Sequence, residues 1–300
     1  MPPQHDLTST ALDRLVATLS LTRIDDNIFT GAKGPDEGWQ RVYGGQVLSQ
    51  SLMAVALTVP ENRPIHSLHG YFLLAGDPKH DIIYDVERIR DGGSFTTRRV
   101  KAIQHGQAIF TMSASFQKAE EGFDHQSPMP PAPAPESLPD VKELMQQFMT
   151  VLPENMRAYW QREHPLDIRL IDPSRYASRD KRVPEQAIWL KSKSRLPDSP
   201  SIHQAVLAYA SDFTLLDTAL VAHGKMMFNR DIQLASLDHA MWFHRPFRAD
   251  QWLLYAQESP SAFGARGYCR GAIFDLEGRL VASTVQEGLM RKRDTAFVIS

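Results

Sequence analysis

The chain has 300 residues, of which 42% are hydrophobic and 23% charged, a composition typical of a globular protein rather than of a disordered or fibrous one. Its formal net charge of −2 excludes the broad basic field of a protein that coats DNA or RNA. With one cysteine, Cys269, the sequence predicts neither a disulfide framework nor a cysteine-based zinc site, which fits a reducing compartment.

Neither end of the sequence carries a visible targeting signal. The first residues lack a basic start followed by an apolar core, and no apolar run approaches the ~20 residues that span a bilayer. The last residues, AFVIS, match neither a peroxisomal address nor a prenylation box. We therefore expect a soluble cytoplasmic protein that binds neither membrane nor nucleic acid.

The first part of the chain predicts helices followed by strands. Leucine spacing over residues 7–21 suits a short amphipathic helix, and a longer helix is predicted from Val47 to Val59, ended by Pro60. Strands are predicted at Ile65–Leu74, Ile82–Ile89, Phe95–Gln104 and Ala108–Gln117. This order is typical of a helix packed on an antiparallel meander.

A proline-rich stretch follows. Six prolines between Pro128 and Pro139 make residues 118–140 extended and linker-like. The next residues are less regular, with helical segments predicted at Leu144–Met149 and Met156–Trp160 and a strand at Ala187–Lys191.

The first pattern then recurs. A single long helix is predicted over His203–Ala222, followed by strands at Ile232–Phe243, Trp252–Glu258, Arg266–Phe274 and Leu280–Met290. Motifs of the two halves overlay in the same order: Tyr43–Gln46 on Tyr209–Asp212, Ser67–Leu68 on Ser236–Leu237, Ser94–Arg98 on Ala262–Arg266, and Ser115–Gln117 on Thr284–Gln286. The sequence thus predicts an internal duplication. Because one helix cannot cover both faces of a sheet, the halves should share a sheet or pack together.

Asp212 is the acidic residue that stands out in this pattern. The residues three and four positions away on either side are apolar or aromatic, so its carboxylate should face the core, where burial without partners costs several kcal/mol. One interpretation is an Asp bonded to local backbone at a frayed helix start, and the other is a general base that orients water. The first half carries the uncharged Gln46 at the matching place, which favours one working site. Ser236 and Gln286 have matching partners, yet each could be a solvent-facing strand residue.

Several long runs closely resemble the acyl-CoA thioesterase II family (TesB-like). They are YASDF from Tyr209, ASLDHAMWFHRPF from Ala235, ARGYCRG from Ala265 and VASTVQEG from Val281, and in the first half VYGGQV from Val42, HSLHGYFL from His66, IYDVER from Ile83, RDGGSF from Arg90 and ASFQ from Ala114. The likeness covers nearly the whole chain. It implies an α+β double hotdog fold, in which two tandem units each wrap an antiparallel sheet around one long helix.

The resemblance also implies an activity, the hydrolysis of fatty acyl-CoA to free fatty acid and CoA in lipid metabolism. In that family an Asp, a Thr or Ser hydroxyl and a Gln hold the attacking water, and these roles fall on Asp212, Ser236 and Gln286. A thioester is already activated toward attack, so a fixed water and a proton acceptor suffice. No cofactor or metal is implied. The expected partners are acyl-CoA and further copies of the chain, in a homodimer or homotetramer.

We expect three segments along the chain: an N-terminal hotdog unit over residues 1–118, a proline-rich linker and connecting segment over 119–200, and a C-terminal hotdog unit with the catalytic residues over 201–300. Gly44 and Gly45 lie at the predicted start of the first long helix. They could let backbone N–H groups approach a developing oxyanion, or they could serve helix–sheet packing.

Two other functions stay open at the level of the sequence. Asp198 and His203 have the five-residue spacing of a hotdog enoyl-CoA hydratase, although Pro200-Ser201 stands where Asn-Pro is usual. A non-catalytic acyl-CoA-binding protein that regulates transcription would need a DNA-binding helix-turn-helix and a basic face. Residues 1–40 offer one short helix and mixed charge.

Overall fold

One antiparallel sheet runs through both halves of the protein. The computed structural model describes residues 9–34, 41–148, 163–176, 178–227 and 229–293, and within these ranges thirteen strands form the sheet. The strands are β1 Thr22–Asp25, β2 Ile28–Gly31, β3 Ile65–Phe72, β4 Ile82–Asp91, β5 Phe95–Gln104, β6 Gln107–Gln117, β7 Leu166–Leu170, β8 Glu185–Ser192, β9 Ile232–Ser236, β10 Asp238–Phe243, β11 Leu253–Phe263, β12 Arg266–Asp275 and β13 Leu280–Lys292. Their order is β1-β2-β4-β5-β6-β3-β10-β13-β12-β11-β8-β7, with β9 paired to β13 beside this path.

Five α-helices accompany the sheet in the described ranges. They are α1 Ala11–Leu19, α2 Gly44–Ala56, α3 Val141–Phe148, α4 Pro200–Ser211 and α5 Thr218–Val221. Helix α1 begins with a capping box, in which the Thr10 hydroxyl accepts from the Asp13 N–H while the Asp13 carboxylate accepts from the Thr10 N–H.

Helix α2 lies inside the protein. Residues 45–55 are buried around its whole circumference, as expected of a helix enclosed by other elements. It contacts β3, β4, β5 and β6 on one side and α4 on the other. Its buried Gln50 is satisfied, since its amide donates to the Thr18 and Ala32 carbonyls and its oxygen accepts from the Tyr84 hydroxyl.

The two halves meet at β3 and β10, which pair antiparallel. Leu68 of β3 stands opposite Met241 of β10, and both side chains are fully buried. The sheet of one half therefore continues into the sheet of the other, and the prediction that the halves share a sheet is confirmed.

The long helix predicted over His203–Ala222 is wrong, because the chain leaves the helical path at Asp212. Helix α4 ends at Ser211, residues 212–217 form turns, and α5 begins at Thr218. Tertiary partners satisfy the carbonyl groups that this break leaves without a helical donor. The Tyr43 hydroxyl donates to the Tyr209 carbonyl at 2.9 Å, and the Tyr255 hydroxyl donates to the Ser211 carbonyl at 3.1 Å.

The strand predicted over Ile232–Phe243 is also interrupted, at Leu237. Strand β9 pairs with β13 alone, whereas β10 lies between β13 and β3. At the crossing the Leu237 N–H donates to the Glu287 carbonyl and the Leu237 carbonyl accepts from the Phe72 N–H. The prediction of a single strand failed because the sequence does not show at which residue the chain begins to pair with β3 as well as with β13.

The segment over residues 119–200 contributes to the sheet. Its strands β7 and β8 extend the sheet beyond β11, and β8 contains the predicted strand Ala187–Lys191. The Trp189 indole donates to the Pro133 carbonyl at 2.9 Å, which fixes the proline-rich stretch on the second half. The helical segment predicted at Met156–Trp160 lies outside the described residues. The division into units at residues 118/119 and 200/201 stays a prediction.

The strand register does not reproduce the overlay of Gln117 on Gln286. Gln117 stands opposite Phe95, the first residue of β5, whereas Leu289 stands opposite Arg266, the first residue of β12. The two glutamines therefore occupy different ladder positions. In the described part of the chain, no helix is both long and apolar enough to span a membrane.

Candidate active site

Asp212, Ser236 and Gln286 form one hydrogen-bonded cluster. The Gln286 Nε2 donates to Asp212 Oδ1 at 2.7 Å and to Ser236 Oγ at 2.9 Å, and the Ser236 hydroxyl lies 3.5 Å from Asp212 Oδ1. The three residues predicted from the sequence are thus in direct contact, although 74 positions separate Asp212 from Gln286 along the chain.

The β9–β13 ladder places the serine and the glutamine together. Ser236 stands opposite Gly288, and Gln286 lies two residues before Gly288, so the side chains of Ser236 and Gln286 are on the same face of the sheet. Asp212 reaches them because it is the C-cap residue of α4, where the chain turns away from the helix axis.

The Asp212 carboxyl is buried, which governs its acidity. Its side chain is 6% exposed. Burial raises the pKa of Asp212 to about 6, and hydrogen bonds from Gln286, the Gly45 N–H and Ser236, together with the charge of Arg41, oppose that rise. The result is a carboxyl that is largely ionised at pH 7 and still has appreciable affinity for a proton.

The site lies where two helix ends meet, one from each half. The N-cap of α2, Tyr43, makes no side-chain capping bond, and the Asp212 carboxylate accepts from the Gly45 N–H instead. The positive end of the α2 dipole therefore faces the carboxylate. Asp212 does bond backbone, as one interpretation of the sequence held, but the backbone belongs to the opposite half.

Gly44 and Gly45 permit this close approach. A Cβ atom on Gly44 would lie 2.7 Å from Asp212 Oδ2, and one on Gly45 would lie 2.5 Å from the Tyr209 carbonyl oxygen. The end of α4 fills the space beside both glycines, and the Phe72 ring of β3 also lies against Gly44. Gly45 thus permits close helix–helix packing, and Gly44 permits both helix–helix and helix–sheet packing.

His239 is a neighbour of Asp212 that the analysis of the sequence did not single out. Its side chain is fully buried, its Nε2 lies 2.9 Å from the Ser211 hydroxyl oxygen, and its Nδ1 lies 4.0 Å from Asp212 Oδ1. Burial lowers the pKa of His239 to about 3, so the ring is neutral at pH 7. The only available signal was a histidine on the buried face of an otherwise apolar strand.

Two buried polar atoms beside Asp212 have no hydrogen-bond partner among the residues that the structure describes. They are Gln286 Oε1 and His239 Nδ1. Buried polar groups are nearly always paired in folded proteins, so unpaired ones indicate strain, catalysis or a missing ligand. The cluster therefore combines a proton acceptor, a hydroxyl and a free amide oxygen, with backbone N–H groups of α2 beside them.

A small cleft lies against the start of α2. It has a volume of about 60 Å³, and its lining includes Arg41, Tyr43, Gln46 and Tyr209. Gln46, the counterpart of Asp212 in the sequence overlay, is buried and bonds Gln50 at 3.5 Å.

The pair proposed for a hydratase has structural partners of its own. The Asp198 carboxylate is exposed and binds Arg248 at 2.6 Å and Arg195 at 3.1 Å. His203 is buried, and its Nδ1 accepts from the Ala249 N–H at 3.0 Å.

A further group of side chains has the composition of a metal site. Asp77, His80 and His105 bring one ligand atom each to within 4.8 Å of the others near the surface, where Asp77 Oδ2 lies 2.9 Å from His80 Nδ1. None of these residues belongs to the Asp212 cluster.

Comparison with known proteins identifies relatives over nearly the whole chain. A family model described as acyl-CoA thioesterase matches residues 163–289, and one described as acyl-CoA thioesterase N-terminal domain matches residues 35–117. The sequence is 42% identical over 283 residues to acyl-CoA thioesterase 2 of Haemophilus influenzae, covering 94% of this chain and 99% of that protein.

Solved structures agree with this likeness. Acyl-CoA thioesterase II TesB2 from Mycobacterium marinum matches with a TM-score of 0.77 and 42% identity, over 93% of this chain and 99% of that one. A hot dog protein of unknown function from Alicyclobacillus acidocaldarius matches with a TM-score of 0.74 over 93% of this chain and 98% of that one, at 19% identity, which shows the fold alone. The predicted α+β double hotdog fold is confirmed.

Proposed function

The chain belongs to the acyl-CoA thioesterase family and is a thioester hydrolase, and from this premise we propose that it hydrolyses fatty acyl-CoA with a water molecule held by Asp212, Ser236 and Gln286. The observation that carries the proposal is the direct contact of a buried carboxylate with an amide and a hydroxyl. Acyl-CoA is its substrate class, and the products are a fatty acid and CoA.

In the proposed reaction Asp212 is the general base. The water oxygen attacks the thioester carbonyl carbon while the carboxylate takes one of the water protons. Collapse of the tetrahedral intermediate breaks the carbon–sulfur bond, and the departing thiolate recovers that proton. A pKa of about 6 suits both steps, because Asp212 is ionised before the attack and can hold the proton after it.

Gln286 and Ser236 orient the nucleophile in this scheme. The Gln286 Nε2 already donates to Asp212 and Ser236, which leaves its buried Oε1 as the acceptor for the second proton of the water. The Ser236 hydroxyl can donate to the water oxygen or accept from it. Holding the water in one orientation removes much of the entropic cost of the attack.

The start of α2 is the proposed oxyanion site. Negative charge develops on the thioester oxygen, and the first N–H groups of a helix point toward such a charge from the positive end of its dipole. Gly44 and Gly45 let this helix start approach Asp212 closely, so a thioester oxygen placed at the helix start would lie beside the proposed base. The second half would thus supply the base and the first half the oxyanion donors.

Asp212→Asn tests the assignment of the base. We expect thiol release from acyl-CoA to fall by about 10²–10⁴-fold, because an amide cannot accept the proton. The measurement is thiol release with a panel of acyl-CoAs from short to long, on protein whose circular dichroism and melting temperature match the parent. Release at the parental rate would show that the base lies elsewhere.

The same panel separates the competing activity. Hydration of crotonyl-CoA without thiol release would favour the hydratase with Asp198 and His203, and acyl-CoA binding without either reaction would favour a non-catalytic binding protein. Association into a homodimer or homotetramer and a cytoplasmic location stay predictions, the first of which light scattering can measure.

A further inference from the structure

The inference concerns His239 and rests on the proposed function. We propose that His239 is a positioning residue for Asp212, whose neutral imidazole directs an Nδ1–H dipole at the carboxylate and favours its ionised, proton-accepting form. No role for a histidine is needed in the reaction proposed above, and the contacts of this side chain supply the argument.

The two ring nitrogens of His239 have different surroundings. Nε2 lies 2.9 Å from the Ser211 hydroxyl oxygen, at the last residue of α4. Nδ1 has no hydrogen-bond partner and lies 4.0 Å from Asp212 Oδ1. The ring therefore bridges the end of α4 and the carboxyl that follows it, from the buried face of β10.

The position of the ring proton follows from these surroundings. A neutral imidazole has one N–H and one acceptor nitrogen. If the proton were on Nε2, the Nδ1 lone pair would face the Asp212 carboxylate and repel it. With the proton on Nδ1 the N–H dipole faces the carboxylate, and Nε2 accepts from the Ser211 hydroxyl. The Ser211 hydroxyl also lies 2.9 Å from the Ala208 carbonyl oxygen, and its one hydrogen can serve only one of the two acceptors. The negative charge of the Asp212 carboxylate therefore tips the choice toward the tautomer with the proton on Nδ1.

The other groups that face Asp212 come from several elements of both halves. Facing Asp212 are the Gly45 N–H from α2, Gln286 from β13, Ser236 from β9 and Arg41 from the segment before α2. The Tyr255 hydroxyl of β11 is engaged by the Ser211 carbonyl and Thr284.

Of these groups Arg41 alone brings a full positive charge, and its guanidinium also donates to the Leu234 carbonyl at 3.2 Å. The ionised carboxyl is therefore held mainly by neutral donors. Loss of one such dipole should raise the pKa of Asp212 and move the acid limb of the activity profile to higher pH.

Two substitutions separate this role from packing. The amide nitrogen of Asn comes near the place of a histidine Nδ1, whereas the longer Gln reaches the place of Nε2. His239→Asn keeps a donor toward Asp212 and loses the Ser211 contact, and His239→Gln does the reverse. We expect His239→Gln to raise the midpoint of the acid limb of kcat/KM by about 0.5–1 pH unit. The midpoint for His239→Asn should equal that of the parent protein.

The unmodified protein gives a second readout. Long-range ¹⁵N–¹H NMR distinguishes the two neutral tautomers of a histidine, and the signal of His239 is assigned by its loss in either variant. We expect the proton on Nδ1 at pH 8. Ser211→Ala, which leaves the ring in place and removes the donor to Nε2, should shift this signal toward the other tautomer.

The outcomes decide between the proposals. If Asp212→Asn retains activity, the proposed function fails whatever His239 does. Suppose instead that Asp212→Asn is inactive. The positioning role is then overturned if the midpoint of the acid limb is the same for the parent and both His239 variants. It is also overturned if the parent carries the proton on Nε2. Rescue by Gln rather than Asn would assign His239 a packing role through Ser211. Should one variant fail to fold, the other still assigns the His239 signal, and the NMR measurement on the parent then decides.

Discussion

At the scale of single residues, two opposing effects set the pKa of Asp212. Burial disfavours its charge, and donors from Gln286, Gly45 and Ser236 favour it. A carboxyl that lost those donors in the same burial would stay protonated at neutral pH and could not act as a base. A carboxyl with the same donors in water would be too weak a base. The balance near neutrality is what makes the residue suited to accept a proton from water.

The pH dependence of activity follows from this balance. Because the proposed base acts in its ionised form and its pKa lies at about 6, kcat/KM should be constant above pH 7 and fall by about tenfold per pH unit well below pH 6. Initial rates of thiol release over pH 4.5–8.5, with a check that the protein stays folded, measure the limb. A midpoint near pH 4, as for an ordinary aspartate, would contradict the assignment.

Gln286 and Gln117 form a matched pair for a second test. Gln286 is fully buried and bonds Asp212, whereas Gln117 is half-buried and its amide bonds the exposed Glu120. We expect Gln286→Ala to lower kcat/KM by roughly 10–100-fold, the cost of a lost hydrogen bond to a charged group, and Gln117→Ala to leave it unchanged. The comparison uses thiol release under identical conditions, and equal losses would show that the effect of Gln286→Ala is not specific to the Asp212 cluster.

At the scale of elements, the site depends on the contact between the ends of α2 and α4. Helix α2 presents its first N–H groups without a side-chain cap from Tyr43, and α4 ends in carbonyls that accept from tyrosine hydroxyls. Each end thus completes the hydrogen bonds of the other half. The carbonyl groups of Tyr209 and Ser211 thus have hydrogen-bond partners where the helix breaks.

Gly45→Ala tests this helix contact, with Gly93→Ala as its control. A Cβ at Gly45 would lie 2.5 Å from the Tyr209 carbonyl oxygen, whereas one at Gly93 would meet nothing within 4 Å. The start of α2 must then shift, so we expect activity to fall by about 10–100-fold and the free energy of unfolding by about 1–3 kcal/mol. Gly93→Ala should change neither. Thiol release and chemical denaturation measure both effects, and parental behaviour of Gly45→Ala would exclude a close approach.

At the scale of the whole molecule, the shared sheet joins the halves into one unit. Strands β3 and β10 pair through the middle of the sheet, where the facing pairs Leu68–Met241 and Gly70–His239 are buried. Asp212, the proposed base, lies in one half, and the helix start that it contacts lies in the other. A destabilising substitution where β3 pairs with β10 should therefore lower the stability of both halves.

Leu68→Ala tests this coupling. Leu68 is fully buried opposite Met241, so the cavity should lower the free energy of unfolding by about 2–5 kcal/mol. Hydrogen exchange read by peptide should show equal loss of protection in the cores of both halves. The control is Leu73→Ala, at a side chain that is 50% exposed, where we expect a change within about 0.5 kcal/mol. Loss confined to the first half would show that the halves unfold separately.

Much of the fold could be predicted from local pattern. Strand β5 has the predicted bounds, Phe95–Gln104, because alternation and flanking turns mark both of its ends. Strands β1, β2 and β7 were not predicted, since four or five residues carry too little periodicity to mark a strand.

The sequence by itself determined the α+β class and predicted the duplication, and it proposed Asp212, Ser236 and Gln286 as site residues, because periodicity, repeated motifs and family likeness can all be read along the chain. Only the tertiary structure decided where the helix breaks. It also decided that the Gly45 N–H of the other half donates to Asp212 and that His239 faces the Asp212 carboxylate. These contacts join residues distant in sequence through burial and pairing across the sheet. Linear spacing specifies which groups are present, and three-dimensional packing alone brings them within hydrogen-bonding distance.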